Sequence, residues 1–191
     1  MPANISSPVL QNAKDRIAQL GDLGAGLATA VDKKNTRIGF STLVSGGFTL
    51  NVVNTIFVDP HMETPENFDL LTCILAHECS HVQQGFLIDS IEQETIAYKV
   101  QAKICDLMNF DFGKQYYGKF LALDHTKEAD LNTALQFILE FAGGSLPTQT
   151  IYKSLPKFQP TGAGDNIVSA FKQLSAAGLA GIQAYQLSRK A

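Results

Sequence analysis

Charge is scarce in this 191-residue chain and neither sign prevails: charged residues make up 17% and the formal net charge is −3. No basic face or run stands out, which argues against nucleic acid or an anionic membrane as a partner. No uninterrupted apolar stretch approaches the roughly 20 residues that a membrane span requires. Only three cysteines are present, an odd number, so the chain does not read as a disulfide-stapled scaffold. Cys73, Cys79 and Cys105 are instead expected to behave as small buried hydrophobes. Residues 1–11 lack the charged start and apolar run of a secretory signal, and with the cysteine usage this makes a reducing cytoplasm the expected location. The Gly-Ala-Gly at 162–164 lacks the lysine of a phosphate-binding loop, so no nucleotide site is read there.

What is present is an ordinary globular composition, 45% hydrophobic, long enough to bury a sizeable core as a single domain over residues 1–191. Its centre is the stretch Leu70 to Phe86, LLTCILAHECSHVQQGF. On an α-helix His77 and His81, four apart, lie one above the other and can aim two imidazole nitrogens at one point, which is half of a zinc site. Glu78 is displaced by about 100° around the helix, where its carboxylate could reach a metal-held water instead of the metal. Cys79 points roughly to the other side. The flanking Phe68, Leu71, Ile74, Leu75 and Val82 predict a helix crossing the middle of a domain. Thr64, Pro65 and Glu66 mark its start and Gly85 its end, giving a metal helix over residues 65–84.

A catalytic zinc takes three protein ligands and keeps a fourth position for water. Ser90 followed by Gln93 reads as a capping box, so a second helix over residues 91–108 is expected, with Glu94 in its first turn. Two helices joined by a short turn pack side by side, which lets a carboxylate early in the second approach histidines late in the first. Glu92 is the alternative third ligand, because helix starts shift by a residue or two.

HECSH followed by ETIAY, with Glu94, Ala97 and Tyr98, resembles the gluzincin type of zincin metallopeptidase. In that group a glutamate in an E-x-x-A setting on the next helix is the third zinc ligand. The resemblance covers about residues 55–101. It implies that His77, His81 and Glu94 bind Zn²⁺ and that Glu78 is the general base. It departs from relatives carrying E-x-x-x-D, because Tyr98 stands where an aspartate would orient a histidine. Metzincins want a glycine and a third histidine soon after HExxH, and none occurs before His125.

Elsewhere, residues 7–20 read as an amphipathic helix behind Ser7-Pro8, and residues 21–30 stay open between a loose helix and a turn. Arg37 to Val44 and Phe48 to Val58, separated by Ser45-Gly46-Gly47, read as a β-hairpin within residues 36–60, of two or three strands with the final one at Asn54 to Val58. His61 is a surface residue in a turn. The aromatic-rich residues 106–120 read as core. Residues 128–188 are expected to be a helical C-terminal part, with one helix at 128–142 ended by Gly143-Gly144 and another at 165–186. The fold class is therefore α+β: mainly helical and, by the resemblance, zincin-like, with a small antiparallel sheet before the HExxH helix.

The resemblance implies zinc-dependent hydrolysis of peptide bonds, with a peptide or protein as substrate and a sheet-edge strand to receive it. An oxyanion donor is still required, and His125, Tyr117 and Tyr152 are its candidates. The competing reading is a catalytically weak or inactive zincin-fold binding or sensor protein that keeps the metal site.

Overall fold

The order Ser7-Pro8 starts the first helix in the expected way: the Ser7 hydroxyl accepts the Val9 N–H at 3.2 Å, and Pro8 fills the first turn of α1 (Pro8–Ala18). The computed structural model describes residues 2–42, 46–85, 89–141, 146–161 and 175. The glycine and alanine stretch after α1 is a second helix, α2 (Gly21–Lys33). A Cβ at Gly24 would lie 1.9 Å from the Ile17 carbonyl oxygen, so this approach of α2 to α1 requires glycine. Lys14 on α1 is 8% exposed, and its ammonium donates to both carboxylate oxygens of Asp32 on α2 at 2.7 and 2.8 Å. Burial alone would raise the Asp32 carboxyl, but the N–H of Ala3 and the Lys14 ammonium outweigh it and hold it below its ordinary value.

Four short strands form one sheet: β1 (Asn4–Ile5), β2 (Arg37–Phe40), β3 (Gly47–Leu50) and β4 (Thr55–Val58), in the order β1-β2-β4-β3. The pairing differs from the expected hairpin. β2 runs parallel to β4, with Ile38 opposite Ile56, whereas β3 runs antiparallel to β4, with Thr49 opposite Ile56. The sheet is therefore mixed, and its hairpin is β3–β4. The reason lies in Asn54, which adopts a left-handed backbone (φ 51°) and breaks the β-branched run at 48–58 into two strands. Its carboxamide donates to the Lys34 carbonyl and accepts from the Thr36 hydroxyl at 2.9 Å, which seats the start of β2 beside β4. Part of the sequence between Arg37 to Val44 and Gly46, residues 43–45, lies outside the described residues.

The helix carrying HECSH, α3 (Phe68–Gln84), follows a 3-10 turn at Pro65–Asn67, so regular α geometry begins three residues later than Thr64 and Pro65 suggest. Gly85 ends it as expected, with φ 73° and its N–H bonded to the His81 carbonyl at 3.0 Å. The Lys34 ammonium donates to the Val82 carbonyl in the same last turn, where a cation also suits the helix dipole. Leu71, Leu75 and Val82 are fully buried with Ile17, Leu27 and Ile56. α4 (Ile91–Leu107) starts where the capping box placed it, the Gln93 N–H donating to the Ser90 hydroxyl at 3.2 Å.

The cysteine expectation needs one correction. Cys73 on α3 and Cys105 on α4 have Cα atoms 6.0 Å apart and are paired as a disulfide, while Cys79 alone is a free buried thiol. Spacing in sequence could not show this, because the partners sit on different helices that only packing aligns. The cysteine count thus carries no argument for a reducing compartment. Among the described residues no helix is long and apolar enough to cross a membrane.

The chain divides into two compact units, residues 1–87 with 96–122, and residues 88–95 with 123–191. The first contains the sheet, α1 to α3, most of α4 and a short helix α5 (Asp111–Tyr117). The aromatics near α5 are divided: Phe120 is fully buried, whereas Phe112 and Tyr116 are exposed. The second unit contains the first turn of α4, α6 (Glu128–Phe141) and α7 (Leu146–Ser154). Within it the N–H groups of Ile91 and Glu92 donate to the carbonyls of Pro156 and Lys157, each at 2.9 Å, satisfying the open helix start. The expected helix at 165–186, apart from Ser175, with Gly143-Gly144 and Gly162-Ala163-Gly164, lies outside the described residues. The mainly helical α+β class holds.

Candidate metal centre

His77 and His81 are one turn apart on α3, 6% and 5% exposed, and their Nε2 atoms face each other at 3.1 Å. Two nitrogens each about 2.0–2.1 Å from a tetrahedral ion would be about 3.3 Å apart, so this spacing is close to that of two ligands on one metal. Glu94, in the first turn of α4, is 6% exposed. One donor atom from each of His77, His81 and Glu94 falls within 4.8 Å of the others. Two imidazoles and one carboxylate are the donor set of a catalytic zinc, and burying them together is costly without a cation to share. The residues therefore fit the ion that the sequence suggests.

The other side of His77 explains its orientation. Its Nδ1 lies 3.1 Å from the Gln101 carboxamide Oε1, and the edge of its ring meets Tyr98 with centroids 4.5 Å apart. Tyr98 in turn stacks on the buried Phe120 at 4.5 Å. Tyr98 thus packs against the imidazole, and the hydrogen-bond partner of Nδ1 lies one turn further along α4, at Gln101. Sequence reasoning missed Gln101. A signal was available, because Glu94, Tyr98, Gln101 and Cys105 are spaced four, three and four residues apart and so share one stripe of α4. On α3 the matching stripe is Cys73, His77 and His81, and the disulfide joins the two stripes one turn from the His77–Gln101 contact.

Glu78 is 5% exposed and turned towards the sheet. The Thr49 hydroxyl on β3 lies 2.7 Å from Glu78 Oε2 and donates to it, and it is 3.3 Å from the Glu78 carbonyl. Gly47, two residues earlier on the same strand face, is what makes room for this carboxylate. A Cβ there would come within 2.5 Å of Oε1, 2.7 Å of Cγ and 2.9 Å of Cδ. Gly47→Ala is therefore expected to displace Glu78 and leave the His77–His81–Glu94 cluster in place. A shift near 1 Å at a reacting group can cost about 100-fold in rate. The check is kcat/KM against zinc content: a fall of about that size with native zinc is expected, and an unchanged rate would remove Gly47 from the site.

The other candidates distribute as follows. Tyr117 stacks on Tyr98 at 6.0 Å; burial pushes its phenol up, opposed by a hydrogen bond from Gln101. It thus stands behind His77 through Gln101. His125 precedes α6 and Tyr152 is on α7, both half-buried in the second unit. The Glu92 carboxylate accepts the Gln159 N–H at 3.0 Å within that unit and is not among the clustered donors, so the alternative ligand is engaged elsewhere. Burial, then the neighbouring Glu78 charge, pushes the Cys79 thiol far up, and its sulfur is not among the clustered donors. The His61 side chain is 89% exposed and bonded to Asp59, as a turn residue should be.

No family model, curated protein or solved structure matches the chain.

Proposed function

We propose that this chain is a zinc-dependent metallopeptidase. The observation that carries the reading is the convergence of His77, His81 and Glu94, with Glu78, a buried carboxylate held by the Thr49 hydroxyl, on the same helix as the two histidines. A zinc ion held by those three side chains supplies Lewis acidity, which acidifies water and polarises a carbonyl. The remaining work falls to the chain. Glu78 takes the proton of the attacking water and returns it to the leaving amine, and the Thr49 hydroxyl, donating to Oε2, fixes the carboxylate in place for that transfer. Gln101 and Tyr98 fix the plane of His77.

β3 supports a peptide as the substrate. It stands at the end of the strand order and carries both residues that shape the Glu78 pocket, Gly47 and Thr49. An extended peptide added along that edge would bring its backbone past Glu78, with alternate side chains beside the exposed Phe48 and Leu50.

The test is metal analysis joined to turnover. Protein equilibrated with zinc and freed of excess is expected to retain about one ion per chain and to cleave members of a quenched peptide library. A chelator should stop cleavage, and zinc should restore it. Protein that holds no zinc at neutral pH, or cleavage indifferent to chelation, ends the assignment.

A further inference from the structure

We infer that Gln101 is a positioning residue: it decides which nitrogen of His77 is offered to the metal. The inference rests on the metal-site reading above but concerns a group outside the ligand set. Gln101 is 2% exposed, on the α4 stripe facing α3, and its Oε1 lies 3.1 Å from His77 Nδ1. An amide oxygen can only accept, so Nδ1 must carry the proton. In a neutral imidazole that leaves Nε2 bare, and Nε2 is the atom that faces His81 Nε2 at 3.1 Å.

On its far side the carboxamide also meets the Tyr117 phenol. Were the amide reversed, an amino group would face Nδ1 and favour the other tautomer, withdrawing Nε2 from the site. Tyr117 is itself held in a stack with Tyr98, which packs on His77. Gln101 thus sits between His77 and Tyr117, and its carboxamide offers His77 an acceptor without adding charge.

The absence of charge matters. Glu78 and Glu94 carry two formal negative charges, which balance a dication. A carboxylate at 101 would add a third anion to a buried cluster, whereas the amide orients His77 at no such cost. Carboxylate partners raise the basicity of a ligating imidazole, and loss of such an outer partner lowers metal affinity by about 10- to 100-fold.

The experiment reads the tautomer directly. Histidines are ¹⁵N-labelled, and two-bond nitrogen–proton correlations are recorded at pH 8 on the metal-free and zinc-loaded full chain. Only four histidines contribute. In the native protein His77 should show a protonated Nδ1 and a bare Nε2 even without metal. Gln101→Leu should mix the two tautomers of metal-free His77 and weaken zinc binding by about 10- to 100-fold in competition with a chromophoric chelator. Gln101→Glu keeps the acceptor and should keep the Nδ1–H form, which also decides the matter if the leucine variant does not fold. A native Nε2–H tautomer, a Gln101→Leu protein with native tautomer and affinity, or an Nε2–H form in Gln101→Glu overturns the inference. Because the metal-free spectra need no zinc, a chain that failed to bind the ion would sink the peptidase reading while leaving this result to stand or fall separately.

Discussion

Glu78→Gln is expected to lower peptide hydrolysis by about 10²- to 10⁴-fold while zinc content stays at the native level. Glutamine keeps the size and the acceptor oxygen of glutamate, so the Thr49 hydroxyl, 2.7 Å from Oε2, still has an acceptor to hold. What is lost is the capacity to accept a proton. The predicted loss corresponds to about 3–5 kcal/mol of transition-state stabilisation. Glu78 is not among the clustered donor atoms, and hence metal retention should be unaffected. The measurement is kcat/KM on a cleaved library peptide beside elemental zinc per chain. A variant that cleaves as fast as the native chain shows that Glu78 is not the base. Loss of zinc together with activity would instead move Glu78 into the ligand set.

Glu94→Ala should act in the opposite order, through the metal first. Removing one of the three proposed ligands leaves two imidazoles, one turn apart on α3, to hold the ion alone. The affinity loss should exceed the roughly 100-fold that follows from disturbing an outer partner, and hydrolysis should fall with occupancy. Glu92→Ala is the control. Its carboxylate is bonded to the Gln159 backbone, so zinc should be retained, with any cost appearing as lower thermal stability. Competition with a chromophoric chelator measures both variants. Native affinity in Glu94→Ala, or loss in Glu92→Ala, would reassign the third ligand.

Legibility in the sequence followed how local the physics was. The His77–Glu78–His81 spacing, Gly85 as the helix end and Ser90 as a helix start all depend on bonds or turns within a few residues, and each appears in the structure as read. The final strand expected at Asn54 to Val58 appears as β4, set off from β3 by the left-handed Asn54. Residues 21–30, open in the sequence between a loose helix and a turn, form part of α2, and Gly24 lets it pack against the Ile17 carbonyl of α1. Tertiary contact overrode propensity there.

By itself the amino-acid order determined the mainly helical class, the two stacked imidazoles and the acidic side chain beside them, because helical periodicity places residues four apart on one face whatever surrounds the helix. Which partners those groups meet was decided only by packing. The mixed sheet that sets Gly47 and Thr49 against Glu78, the α3–α4 alignment that joins Cys73 to Cys105 and Gln101 to His77, and the engagement of Glu92 by Gln159 all arise between segments far apart in the chain. Such contacts have no sequence period, since they are fixed by the register at which separate elements bury their faces together.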